Sequence, residues 1–160
     1  MSDATTDDAR PRGGPIAPAR PASGGPVAPG THPWRDWAPA RRTLTGFFDH
    51  VTTHRAGDVL LSTPHAGLTG KDLRGSVLAV AAYLRSLGVA PGDRVSVVCE
   101  NRIEQTYLLF ATSWVGAILA SVNPALRGES LTHQLRLAAP AVVVTDAAGA
   151  ARVAACVDEF

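Results

Sequence analysis

Leu84-Arg-Ser-Leu-Gly-Val-Ala-Pro-Gly-Asp-Arg-Val-Ser-Val-Val-Cys99 is the stretch that decides the fold. Pro91-Gly92 turns the chain, and the β-branched run from Arg94 to Cys99 then reads as a strand covered on both faces, the pattern of a parallel sheet. Upstream, Leu73, Val77, Val80, Leu84 and Leu87 form one apolar stripe at helical spacing. Thr69 is placed to cap that helix, with Asp72 as the capping-box acid three residues on and Gly88 as the left-handed residue that stops it. Downstream, Asn101 and Glu104 form a second capping box that opens a helix over about 102–116. A strand near Ile118 to Val122, a helix near Ser130 to Ala138, a strand from Ala141 to Thr145 and a helix from about Ala147 follow. Apolar strands separated by helices are βαβ units, so the expected fold class is α/β, a parallel sheet flanked by helices. Before this core, Leu44, Phe47, Phe48 and Val51 predict an amphipathic helix over about 43–55. Val59 to Ser62, a Pro64 to Gly67 turn and Leu68 predict a small hairpin.

Composition sharpens near residue 40. Of the 12 Pro and 15 Gly in the chain, eight Pro and five Gly lie in the first 40 residues. The large aliphatics before Trp34 are Ile16 and Val27, too few to offset the entropy of ordering the segment. Residues 1 to about 33 therefore read as disordered. The Pro/Gly/Ala-rich leader as a whole runs over 1–40, and the α/β unit over 41–160. Asp3, Asp7 and Asp8 precede any basic residue and no apolar region follows, which excludes a secretory signal. Trp34 and Trp37 mark where the chain first packs on the fold.

The 160 residues are 46% hydrophobic and 18% charged, the balance of an ordinary globular protein. Fifteen basic against fourteen acidic side chains leave a net charge of +1, which supplies no field for drawing in a phosphate backbone, so no nucleic-acid partner is expected. Residues 105–126 carry no charge, yet Gln105, Thr106, Thr112, Ser113, Ser121 and Asn123 are scattered through them, Gly116 breaks them and Pro124 ends them. A helix followed by a short strand fits better than a transmembrane segment. Cys99 and Cys156 form no CxxC unit and read as reduced, buried thiols of a cytoplasmic protein.

The search for chemistry returns little. The first strand-to-helix turn, Glu100-Asn101-Arg102, has none of the glycines a dinucleotide site needs. Gly70-Lys71 matches a phosphate loop only as a dipeptide, since His65 and Asp72 stand where glycine and Ser or Thr belong, and Lys71 reads as an exposed first-turn residue. His50 and His54 could share a helix face as metal ligands, but Val51 breaks the HExxH pattern, no third ligand follows, and a solvated face is expected. No G-x-S-x-G elbow is present. Cys99 sits at the carboxyl end of a strand with no nearby His, which favours packing over a reactive thiolate.

Four segments in order resemble the opening of the AMP-forming acyl-CoA synthetases, the adenylate-forming ligases. Leu68-Thr-Gly-Lys-Asp-Leu73 is similar to that family's LTYxEL segment, and Leu84 to Val95 to its LGVxPGDRV element. Trp114-Val-Gly-Ala-Ile-Leu-Ala-Ser-Val-Asn-Pro-Ala-Leu-Arg-Gly-Glu129 resembles AGAVxVPxNPxLxxxEL. Leu131-Thr-His-Gln-Leu and Ala141-Val-Val-Val-Thr-Asp146 are similar to the helix and xVLITD strand that follow. The resemblance spans about residues 43 to 157. It departs at Gly70, where an aromatic is usual, and at Ala120-Ser121, where Val-Pro is usual. The "NR-E" after the first strand and NPALRGE are similar to carnitine- or crotonobetaine-type CoA ligases.

The resemblance implies a reaction in which a carboxylic acid and ATP, with Mg2+, give acyl-AMP and pyrophosphate, and coenzyme A then displaces AMP. The family's phosphate-binding loop, ribose-binding acid and catalytic lysine all lie downstream of the strand ending at Asp146. The resemblance therefore assigns no catalytic, cofactor-binding or metal residue here, and Lys71 is not the catalytic lysine. The expectation is the N-terminal part of an acid-CoA ligase's large domain, inactive alone, binding none of its family's cofactors and exposing a strand edge and an apolar face. Self-association or complementation by the missing ligase segments follows from that exposure. Two alternatives stand beside it, a free-standing flavodoxin-like binding module and a non-catalytic partner that completes a larger ligase chain.

Overall fold

The computed structural model describes residues 33–62 and 67–156. Residues 1–32 of the leader and Pro64 of the hairpin turn lie outside the described residues. Among the described residues the Arg94–Val98 strand (β3) is the centre of a three-stranded parallel sheet, between Ile118–Ser121 (β4) and Val142–Thr145 (β5), in the order β4-β3-β5. Arg94 pairs with Ile118 and Val97 with Ser121 on one side, Val95 with Val142 and Val98 with Thr145 on the other. The β-branched run of β3 forms a strand here because both its faces are covered: Val95 to Val98 are all buried.

The two faces belong to different helices. Val95 packs with Leu73, Val77, Ala81 and Leu84 of the Gly70–Ser86 helix (α2) and with Ala111 and Val115 of the Ile103–Val115 helix (α3). Val98 faces Leu131 and Leu135 of the Gly128–Ala138 helix (α4) and Val153 of the Ala147–Ala154 helix (α5). Each Val or Leu so buried stabilises the fold by about 1.5–3 kcal/mol. Ser96 shares the second face, fully buried, and its hydroxyl finds no partner.

The expected helix signals hold at α2. Thr69 Oγ1 accepts from Asp72 N and Asp72 Oδ2 from Thr69 N, closing the capping box. Gly88, at φ 86°, ends the helix, and the bonds Val89 N to Leu84 O and Gly88 N to Arg85 O make the Schellman pair. The predicted stripe needs one correction. Leu87 is the C-cap and turns to solvent, and Val89 takes its place beneath Leu84 while Ala81 fills the buried row.

The second capping box does not form. Arg102, not Asn101, is the N-cap of α3, and it makes no side-chain cap bond. Gln105 explains the shift: its Nε2 donates to the carbonyls of Cys99 at 3.0 Å and Glu100 at 3.1 Å, holding the strand-to-helix turn from inside. Glu104 meets the Arg102 guanidinium at 3.4 Å instead. Helix α4 begins two residues earlier than expected, at Gly128, and ends with Ala139 in the left-handed region at φ 40°. The Arg94 guanidinium caps that end, donating from Nε to Ala138 O and from Nη2 to Ala139 O at 2.9 Å.

The Leu44–His54 helix (α1), the Val59–Ser62 strand (β1) and the Gly67–Thr69 strand (β2) build the other end of the molecule, with β1 and β2 antiparallel. Thr43 caps α1, its Oγ1 accepting from Gly46 N at 3.0 Å. The predicted apolar stripe of α1 is only partly used. Phe48 is 2% exposed and stacks on Phe110 of α3 at 4.7 Å, whereas Leu44 and Phe47 are each 38% exposed. Gly70, where the family pattern has an aromatic, is required by close approach: a Cβ there would lie 2.5 Å from Arg55 O. Among the described residues no helix is long and apolar enough to cross a membrane; the uncharged 105–126 stretch divides into α3 and β4.

Candidate functional site

In a sheet of order β4-β3-β5 the helix after β3 lies on one face and the helix after β5 on the other. The carboxyl ends of β3 and β5 are therefore where an open α/β sheet leaves a crevice for a ligand. Here a side chain of the chain itself bridges that crevice. Asp146, directly after β5, accepts from Glu100 N at 3.2 Å through Oδ2 and from Gly149 N at 2.7 Å through Oδ1, so it ties the end of β3 to the first turn of α5. Thr145 Oγ1 donates to Val98 O at 2.8 Å beside it. The Gly149 N–H, then the Glu100 N–H, hold the Asp146 carboxyl below the ordinary carboxylate value, with lesser help from Arg152 and Arg102. Donors that would otherwise be free for an anion are engaged by a carboxylate, which repels a phosphate placed there. The residues at this crevice do not fit a nucleotide's phosphates.

On the other side of β3 an open cavity of about 260 Å³ lies at the carboxyl ends of β3 and β4. Asn101, Arg102, Gln105, Thr106 and Ser121 supply its polar groups over a floor of Val97 and Leu119. Gln105 is already committed to the β3–α3 turn and Arg102 is drawn toward Glu104. The cavity offers hydrogen bonds to a small polar group. It contains no pair of nucleophile and base.

The sequence candidates scatter. Lys71 lies in the first turn of α2, exposed, and its N–H donates to Ala56 O at 2.9 Å while Gly70 N donates to Asp58 O at 3.0 Å. A phosphate cradle at Gly70-Lys71 would need those donors free. Cys99 is buried at the end of β3, with Gln105 Nε2 3.4 Å from its sulfur, and Cys156 is buried under α5; both are free thiols. His50 and His54 do meet on one face of α1, ring centroids 4.1 Å apart, but among the described residues no three His, Cys, Asp or Glu side chains gather to hold a metal ion. Trp34 packs edge-on against Phe47 at 5.9 Å and Trp37 against His50 at 4.9 Å, as expected for packing residues. Asp146 has no role assigned by its sequence pattern alone. The local signal for it is an acid directly before a helical run with Gly three residues later.

The architecture is that of the adenylate-forming ligases. It matches a Rhodopseudomonas palustris protein described as a long-chain-fatty-acid CoA ligase with a TM-score of 0.70 at 27% identity, covering 74% of this chain and 30% of that one. The chain belongs to the AMP-binding enzyme family, whose model matches residues 47–159. It is 30% identical over 104 residues to a long-chain-fatty-acid–CoA ligase of Salmonella typhimurium, a match that takes in 64% of this chain and 18% of the ligase. It is 38% identical over 106 residues to an uncharacterized protein of Mycobacterium tuberculosis, covering 65% of this chain and 61% of that protein. The chain thus spans about a fifth of the length of the Salmonella ligase, as a partial AMP-binding domain from the N-terminal part of the family.

Proposed function

We propose that this chain is the N-terminal scaffold of an acid–CoA ligase and that by itself it neither adenylates acids nor binds ATP tightly. The observation that carries the reading is the Asp146 bridge, which engages the N–H groups of Glu100 and Gly149 at the sheet's ligand edge with a carboxylate. In this reading the complete ligase joins a carboxylic acid to coenzyme A with ATP and Mg2+. The groups that steady the reacting phosphorus come from segments other than those described here. A cytoplasmic location belongs to the same proposal, supported by the two free, buried thiols. The test is pyrophosphate release by the purified 160 residues over a panel of carboxylic acids. No acid-dependent release is expected, and any such release overturns the reading.

One observation favours a second reading, a non-catalytic partner that completes a larger ligase chain. The mycobacterial relative is itself covered to 61% by this same unit, so the unit forms the bulk of a small protein there. Co-purification of this chain with a separate, longer AMP-binding protein would support the partner reading, and its failure to associate with one in the native cell would count against it.

A further inference from the structure

The N-terminal turns, Pro33–Asp36 and Pro39–Arg41, lie along α1 as a strap. Two tryptophans fasten it: Trp34 against Phe47 at 5.9 Å and Trp37 edge-on against His50 at 4.9 Å, with an interplanar angle of 71°. His50 in turn stacks on His54, one helical turn on, with centroids 4.1 Å apart and rings tilted by 30°. The Arg42 guanidinium stiffens the strap by donating to Trp37 O at 2.9 Å and Arg35 O at 2.7 Å. Trp34 also borders an apolar groove of about 410 Å³, floored by Phe48, Leu61, Leu73 and Phe110.

We propose that His50, backed by His54, is an acid-sensitive clasp: neutral, it holds Trp37 and the strap on α1, and proton uptake by His50 releases the strap and opens the apolar groove that Trp34 borders. The charges around the pair decide the direction. From the strap, the Arg41 guanidinium sits 5.6 Å from the Trp37 ring centroid, so Trp37 is already shared with one cation. From α1, Asp49 is the opposing anion, and Arg74 of α2 engages it at 2.7 Å. His54 is committed as well, its Nδ1 lying 2.9 Å from His50 O and donating there. A proton on His50 would place a cation in ring contact with Trp37 and His54 and beside Arg41, with one partly neutralised carboxylate to offset it.

Burial, then His54, then Arg41 hold the His50 imidazole below its ordinary value of 6.5, against a smaller upward pull from Asp49. The sign follows from linkage. Releasing the strap removes the burial and the Arg41 charge, so His50 takes up its proton at a higher pH with the strap released than with it closed. Closure is thus fully favoured above the open-state value and is lost as the pH falls toward the lower value His50 has in the closed state.

The experiment uses the full chain with its three tryptophans replaced by fluorotryptophan. Fluorine NMR is followed from about pH 7.5 to about pH 5, the range in which histidine changes charge. Substitution Trp37→Phe assigns the strap resonance. The Trp37 and Trp34 signals are expected to move together toward the solvent-exposed shift, with a midpoint below 6.5, while the Trp114 signal and the far-ultraviolet helix signal stay constant. His50→Phe should abolish the movement. His54→Gln, on the exposed side of α1, should raise the midpoint by removing the like charge. A Trp37 signal that stays fixed overturns the clasp, as does one that moves equally in His50→Phe. So does one that moves only together with Trp114 as the helix signal is lost.

Discussion

At the carboxyl edge of the sheet the polar groups are matched within the chain: Asp146 serves Glu100 and Gly149, Thr145 serves Val98, and Gln105 serves Cys99 and Glu100. At the α1 end the apolar groups are not matched in the same way. Phe48 is buried while Phe47, its neighbour in the same helix, is 38% exposed, and Trp34 and Leu44 stand open beside it. Unpaired backbone polar groups are costly wherever water is excluded, so a small α/β unit has to satisfy them locally. Half-covered apolar side chains cost less and can wait for a strap or a partner. Ile118, at 54% exposure on the edge strand β4, shows the same tolerance.

Neighbouring phenylalanines give the largest test of that contrast. Phe48→Ala should cost about 4 kcal/mol, because it empties a packed site against Phe110 and Trp114. Phe47→Ala should cost less than about 1 kcal/mol, since much of its ring already meets water. Urea unfolding of the two variants checks the difference, and equal losses would mean that the groove is closed more tightly than the exposure of Phe47 shows. Next in size, Gly149→Ala should cost about 3 kcal/mol: its Cβ would collide with Thr145 Oγ1 and stand 2.9 Å from Val98 O, so the Asp146 bridge would have to part.

A smaller effect is expected at Asp146 itself, and its mark is the pH dependence. Because the Gly149 and Glu100 N–H groups lower its carboxyl in the folded state, it contributes stability above the ordinary value of 3.8. That contribution is lost as the pH falls through the folded value. Asp146→Asn should lower the melting temperature at neutral pH and flatten its further fall between about pH 4 and about pH 2. An unchanged acid limb would show that the bridge is not the group that titrates there. The smallest change has the opposite sign. Ala139, left-handed at φ 40°, should gain about 0.5 kcal/mol on replacement by Gly, the residue that adopts this region without strain.

Much of the fold is legible along the chain. The Thr69–Asp72 box, the Gly88 stop and the valine-rich run of Arg94 to Val98 each act within a few residues of themselves, and each appears where its letters place it. Asn101 is the instructive exception. Its capping signal is as good on paper as that of Thr69, but Gln105 reaches back to two carbonyls of the turn after β3, and the helix starts one residue later. The candidate site was legible only as a lack. The missing glycines at Glu100-Asn101-Arg102 excluded a dinucleotide loop. The carboxylate that bridges the crevice lies 46 residues from the backbone N–H it accepts, and no local pattern announces such a pairing.

By itself, then, the sequence determined the α/β class and the order of elements from α1 to α5, because periodicity, caps and turn residues act over short separations, and its resemblance in four segments pointed to the ligase family. Tertiary structure decided which of the two phenylalanines is buried, what bridges the β3–β5 crevice and how His50 comes to pack between Trp37 and His54. Those outcomes depend on groups that meet only after the chain has folded back on itself, where the competition for each donor and each apolar surface is settled by what stands nearby in space.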